Sequence, residues 1–324
     1  MSSPTLSIII PVYNGEKTIG TLLDSLLHQC DSSDVEIIVV NDGSVDATAQ
    51  VLAAYNQYPI HVYNQENAGV YVTRNTALDL VTGAYIWMID ADDRIASDAL
   101  ACILTRIKES NFDIIHCAYS VENDQGQIQC KSLDVEVDTM NGFDFLKKND
   151  GRLYLWNNVY SSSFINSNKL RFLAKSRSLE DSLFNLEAFA NATIVGFITK
   201  ALYTYVYNSA SISRVVSPKV MNFKITSTQN VHTGMVDLLF RYTEGSKEYT
   251  IIKSKLQKSI SGYFFSILQL GYPMDRLKEA YMFYSLRELL PLPITGQNTK
   301  TVLFNVLINL RILYVLHFVR NINR

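Results

Sequence analysis

Ser7-Ile-Ile-Ile-Pro-Val-Tyr-Asn14 and, after it, Val35-Glu-Ile-Ile-Val-Val-Asn-Asp-Gly-Ser44 decide the fold. Both stretches are apolar, largely β-branched runs that stop abruptly at polar, turn-forming residues, as strands buried on both faces of a parallel sheet do. The pattern predicts strands over 7–12, 35–40 and 85–89, a weak one over 61–63, and helices over 17–28, 46–55 and 71–81. Such alternation is that of an α/β sheet flanked by helices. Three strand ends are polar: Tyr13-Asn14-Gly15, Asn41-Asp42-Gly43-Ser44 and Asp90-Ala91-Asp92-Asp93. Ligands of open parallel sheets bind at the carboxyl edges of the strands, so these clusters are expected to share one site.

The rest of the chain adds limits. With 324 residues, 48% hydrophobic and 19% charged, it has ample material for a core and is not a disordered polymer. A net charge of −2 supplies no overall basic field, which argues against nucleic acid as a partner. Cys30, Cys102, Cys117 and Cys130 form no CxxC pair and are expected as free buried thiols in a reducing compartment. The first apolar run is short and has no basic residue before it, so no secretory signal is expected and the cytoplasm is the expected location. From Phe112 to about Arg214 the pattern is mixed, with a helix over 183–190; beyond Val215 it turns helical, over 220–240, 249–270 and 277–289. This shift marks an expected boundary between 1–214, subdivided at 111/112, and a helical 215–324.

Each polar cluster has an ordinary reading and a chemical one. Asp90-Ala-Asp-Asp93 can cap a following helix through Asp92 or Asp93, or hold a hard divalent cation, Mg²⁺ or Mn²⁺, through carboxylate oxygens. Asn41-Asp42-Gly43 can be a turn with positive φ at the glycine and a cap at Ser44 or Asp46, or can offer Asp42 to a base or ribose. Asn67-Ala-Gly69 leading into Thr73-Arg74-Asn75 places a cation near a helix start, where phosphate is favoured, though a surface arginine would look the same. Glu180-Asp181 suits the first turn of any helix, and equally a general base.

Taken in order, Ser7–Asn14, Val40–Asp46, Asn67–Gly69, Thr73–Asn75, Ile89–Asp93 and Leu179-Glu-Asp-Ser-Leu-Phe184 resemble the family two inverting glycosyltransferases of the GT-A type over about residues 5–214. The resemblance implies a Rossmann-like, mostly parallel sheet and a nucleotide-sugar donor, with UDP as its nucleotide. It implies that Pro11, Val12, Tyr13, Asn14 and Glu16 line the nucleotide pocket, Tyr13 near the base. Asp42 would bind uracil or its ribose, Arg74 would approach the nucleotide or diphosphate, and Asp90 the ribose or a metal-bound water, with Asn67 and Ala91 alongside. Asp92 would hold Mn²⁺ or Mg²⁺. Asp181 would be the catalytic base and Glu180 would face the acceptor, a glycan or lipid-linked alcohol of surface polysaccharide synthesis. Trp156-Asn157-Asn158-Val159-Tyr160 resembles a Trp-Asn-Lys-Leu-Tyr stretch beneath the acceptor, with Asn158 where lysine is common. Tyr205-Val206-Tyr207 resembles a Tyr-Tyr-Arg stretch without its arginine, a role that Arg214 would take over.

At the C-terminus, Asn305, Asn309, His317, Arg320, Asn321 and Arg324 fall within about half of a helical wheel, and 301–324 has three arginines and no acid. An interfacial helix on the inner face of an anionic membrane is one expectation; docking on its own domain or on a second copy in a homo-oligomer is the other. A haloacid-dehalogenase-type phosphatase is disfavoured because the acidic pair follows the fourth strand, and a dehydrogenase because no GxGxxG follows the first. A catalytically silent nucleotide-sugar-binding or scaffold protein stays open.

Overall fold

The computed structural model describes residues 3–29, 34–133, 135–149, 153–174, 179–207, 218–270, 272–294 and 299–313, without the side chains of 218–222 and 269–270. The chain divides into two compact units, Met1–Arg214 and Val215–Arg324.

In chain order the first unit contains β1 (Leu6–Val12), α1 (Ile19–Leu27), β2 (Val35–Asn41), α2 (Thr48–Ala53), β3 (Ile60–Asn64), α3 (Val70–Leu80), β4 (Tyr85–Met88), β5 (Arg94–Ile95) and α4 (Ala99–Ile107). There follow β6 (Ile114–Glu122), β7 (Ile128–Lys131), β8 (Thr139–Met140), α5 (Gly142–Lys148), β9 (Asn158–Ser161), α6 (Ser162–Ser167), α7 (Glu180–Asn191) and β10 (Val195–Val206). One sheet runs β3-β2-β1-β4-β9-β6-β10-β5, with β7 paired to β6 and β8 to β10. The strands β3, β2, β1 and β4 are parallel. Their register puts Val12 beside Asn41 and Ile9 beside Met88, so the polar clusters after β1, β2 and β4 leave the sheet along one edge.

The reasons for the helix boundaries are local. The segment Gly15–Thr18 makes a turn, with Thr18 and Ile19 N–H both on the Gly15 carbonyl at 3.0 Å, so α1 starts at Ile19 rather than Lys17. Asp46 lies outside α2, whose N-cap is Ala47, and accepts the Thr48 N–H at 3.0 Å. Asp92 and Asp93 cap nothing: β5 follows them and α4 begins only at Ala99. Cys117 is buried as expected, but Cys130 lies exposed on β7. Cys30 is outside the described residues.

The second unit contains α8 (Pro218–Leu239), α9 (Lys247–Leu270), α10 (Met274–Ser285) and α11 (Thr299–Asn309). Buried His232 on α8 links Ser259 of α9, at 2.7 Å, to Tyr284 of α10, at 2.6 Å. Burial holds the His232 pKa down to about 3, so the imidazole stays neutral. The continuous helix expected over 301–324 is not formed: α11 ends at Asn309 and Arg311 adopts φ 57°. Its polar residues also face inward. Asn305 bonds Ser261 of α9 and the Pro293 carbonyl, both at 2.8 Å, and Asn309 bonds both backbone groups of Leu292, while Leu303 and Leu310 are 62% and 64% exposed. His317, Arg320, Asn321 and Arg324 lie outside the described residues, as does Arg214. Among the described residues no helix is long and apolar enough to cross a membrane.

Candidate active site

A pocket of about 500 Å³ opens at the carboxyl edge of β1 and β4. Pro11, Val12, Tyr13, Asn14, Glu16, Asp90, Ala91 and Asp92 line it, together with Gly15, Lys17, Thr18, Asp46 and Val70. Eight of the residues singled out from the sequence therefore meet at one cavity. Tyr13, 42% exposed at its wall, has a ring free to stack on a planar base.

The wall is laced from both sides. Asn14, at φ 53°, accepts the Val45 N–H at 2.9 Å, and its own N–H reaches Ser44 Oγ at 2.9 Å. The Gly15 N–H reaches Thr48 Oγ1 at 2.8 Å, and Glu16 accepts the Ala47 N–H at 2.9 Å. The loop after β1 is thus held in place by the loop after β2, which leaves little conformational entropy for a ligand to remove.

Asp42 and Asn67, expected to touch the nucleotide, both bond protein groups in the structure. Buried Asp42 accepts from the Ala68 and Gly69 N–H groups at 2.9 Å and from Gln65 Nε2 at 2.8 Å, while Asn67 Nδ2 holds the Asp42 carbonyl at 3.0 Å. Neither lines the pocket. Asp42 instead fastens the chain entering α3, where Gly69 takes φ 93°. Gly43 is also required, since a Cβ at its φ of +67° would stand 2.7 Å from the Asn67 nitrogen.

Arg74 is held between two carboxylates. Its buried guanidinium donates to Asp90 at 2.9 Å and to Glu180 at 3.1 Å, and lies 5.4 Å from the Phe172 ring centroid. Asn75 makes two bonds to the Phe172 backbone, at 2.9 and 3.0 Å, and Phe172 stacks on Phe184 of α7 at 4.4 Å. The Thr73-Arg74-Asn75 run therefore draws the start of α7 to the end of β4. Glu180 and Asp181 form the first turn of α7, directly after Leu179, which takes the sparsely populated φ of 64°. The Arg74 pKa is raised, against its burial, by Asp90 first, then Asp181 and Glu180, so Asp181 also lies within electrostatic reach of this cation.

Three neighbouring acids, Glu180, Asp93 and Asp92, are held above the ordinary carboxylate range. Burial first and the Asp181 charge second push Glu180 up to about 8, against Arg74. At neutral pH the Glu180 carboxyl therefore tends to stay protonated. Asp93 is also raised to about 8, by burial and then by Asp90. Asp92 is raised by the desolvation of its pocket setting, although its side chain reaches solvent, and by Asp90. Asp92 makes no ion pair among the described residues, whereas Asp90 is committed to Arg74. No group of three or more metal-ligating side chains occurs among the described residues. A hard cation such as Mg²⁺ fits this donor set, because it commonly takes one or two protein carboxylates and completes its shell with phosphate oxygens and water.

The expected acceptor residues Trp156 and Asn157 are interior, 5% and 3% exposed. Trp156 stacks between Tyr154, at 4.7 Å, and Tyr203, at 4.6 Å, and its carbonyl accepts Trp87 Nε1–H at 2.8 Å. Asn158, at the position where lysine was expected, is buried in an amide network: it accepts His116 Nδ1–H at 2.7 Å and donates to the Tyr154 carbonyl at 2.6 Å. The contacts of Tyr203 and Asp93 were not foreseen, because nothing in the local pattern pairs residues 110 positions apart.

The family model for Glycosyl transferase family 2 matches residues 7–166. The Bacillus subtilis protein "Uncharacterized glycosyltransferase EpsJ" is 30% identical over 220 residues, which cover 65% of this chain and 64% of that protein. Poly(ribitol-phosphate) beta-N-acetylglucosaminyltransferase TarS of Staphylococcus aureus is 29% identical over 205 residues, 61% of this chain and 35% of TarS. The crystal structure of S. aureus TarS 1–349 in complex with UDP-GlcNAc superposes with a TM-score of 0.68 at 21% identity, covering 90% of this chain and 82% of that one, and shares the fold. The matched sheet, the acidic edge of β4 and the sequence relationship agree: through residues 7–166 the chain belongs to glycosyl transferase family 2.

Proposed function

We propose that this chain is an inverting glycosyltransferase that moves a sugar from a nucleoside-diphosphate donor, a UDP-sugar, to a hydroxyl of a glycan or lipid-linked acceptor in surface polysaccharide synthesis. The observation that carries this reading is the bridge made by Arg74, which joins Asp90 of the pocket to the Glu180–Asp181 pair. The names of the relatives and the UDP-GlcNAc in the TarS structure support the substrate class.

In this reading the loop Pro11–Glu16 receives the nucleotide, with Tyr13 against the base, and the diphosphate lies toward Asp90 and Asp92. Asp92 would hold Mn²⁺ or Mg²⁺, whose positive charge offsets that of the departing diphosphate. Asp181 takes the proton of the acceptor hydroxyl as its oxygen bonds to the anomeric carbon, and the bond to the diphosphate breaks on the opposite face. Glu180, kept protonated by its burial, orients Asp181, and Arg74 limits the repulsion among the acids.

The test is Asp181→Asn, which keeps shape and removes the base. Transfer from UDP-GlcNAc and a panel of other UDP-sugars, followed by UDP release, should fall at least a thousandfold while UDP affinity by calorimetry changes less than threefold. Retained turnover would remove Asp181 from this role, and a wild-type protein that binds UDP without ever releasing it from a sugar would favour the silent binder.

A further inference from the structure

Tyr203 of β10 lies inside the sheet, its ring stacked on Trp156 at 4.6 Å with 9° between planes and edge-on to Trp87 at 6.4 Å. Its hydroxyl touches both ends of the acidic loop. It donates to Asp93 Oδ2 and accepts the Asp90 N–H at 3.2 Å. The other Asp93 oxygen accepts the Val206 N–H at 2.7 Å, also from β10. Within the loop itself the only backbone bond is a long one, from Asp93 N–H to the Asp90 carbonyl at 3.3 Å. The conformation of Asp90–Asp93 therefore depends on β10, and Ala91 and Asp92, between the two fastened ends, are left at the pocket.

We propose that Tyr203, acting through Asp93, is a positioning residue that holds the Asp90–Asp92 loop in the orientation needed to receive a cation-bound diphosphate. This rests on the function proposed above. The geometry separates two roles of one side chain. The ring fills the core beside Trp156, while the buried hydroxyl, bonded to Asp93 and to the Asp90 N–H, sets a loop whose displacement by an ångström would misplace the Asp92 oxygens. Tyr203→Phe removes the second role and keeps the first.

The experiment is calorimetric titration of the full chain with UDP, in Mn²⁺ and in EDTA. Wild type should bind more tightly with Mn²⁺, and Asp92→Ala should lose that enhancement. For Tyr203→Phe we expect a tenfold or greater loss of UDP affinity in Mn²⁺ and less than a twofold change in EDTA. Asp93→Asn, close in shape to the native residue, should show the same metal-selective loss and guards against poor folding of the first variant. Wild-type affinity for UDP in Mn²⁺ in both variants, or equal losses with and without metal, would overturn the positioning role. If wild type itself gains nothing from Mn²⁺, the cation reading fails first and takes this one with it.

Discussion

Replacing Arg74 by methionine exposes how the site balances its charges. The guanidinium is buried between Asp90 and Glu180, so the substitution deletes two charge-assisted hydrogen bonds of 2.9 and 3.1 Å and a stacking contact with Phe172. The Asp90 side chain is a third exposed, and its bond is discounted for screening. Glu180 is already largely neutral at pH 6, because burial and Asp181 raise its pKa to about 8 from an ordinary 4.5. The loss at pH 6 should then be about 2 kcal/mol, two modest hydrogen bonds. The sign of the pH dependence follows from the raised value. In the wild type, Glu180 favours the folded state below about 4.5, and that advantage is lost as pH rises through about 8, where the folded protein also ionises. Without Arg74 the folded pKa moves higher still, and the loss continues. Each pH unit above 8 then adds about 1.4 kcal/mol to the cost of the substitution, for a total of about 3–4 kcal/mol at pH 9. Urea unfolding followed by tryptophan fluorescence measures this, since Trp87 and Trp156, the two tryptophans of the chain, both lie in the first unit. A Glu180→Gln background should remove the extra loss at pH 9. A cost that is equal at pH 6 and pH 9, or larger at pH 6, would refute the shared-charge account.

Further outcomes follow from other parts of the molecule. Asn158→Lys, which restores the residue expected from the family resemblance, should destabilise the first unit by about 3 kcal/mol or more, because the ammonium would be buried beside neutral His116; unchanged urea stability would show that the amide network tolerates a cation. If the outward side of α11 meets an anionic bilayer, Leu303→Asp combined with Leu310→Asp should sharply reduce co-sedimentation with phosphatidylglycerol vesicles, and wild-type protein left in the supernatant would end the membrane reading.

Much of the first unit was legible because its signals are local. Leu6–Val12, Val35–Asn41 and Tyr85–Met88 are unbroken apolar runs, and a run buried on both faces of a sheet needs no partner to be recognised. The polar ends of these strands are adjacent in the chain to the runs that carry them, so their meeting at one sheet edge follows from parallel pairing alone. The positive φ of Gly43 is likewise a property of three or four residues.

What a polar side chain turns toward was not legible. Asp42, Asn67 and Arg74 bond protein groups, and Trp156 and Asn157 are core. On a helical wheel Asn305 looks like solvent-facing polarity, yet Ser261 and the Pro293 carbonyl give it partners inside. Sequence by itself determined the alternation of strand and helix, the polar edge of the sheet and the order of the family motifs, because periodicity and turn chemistry act over a few residues. Tertiary structure alone decided that Arg74 would tie Asp90 to Glu180 and that Tyr203 would fasten Asp93, since the partners lie 106 and 110 residues away and only sheet order brings them within hydrogen-bonding distance.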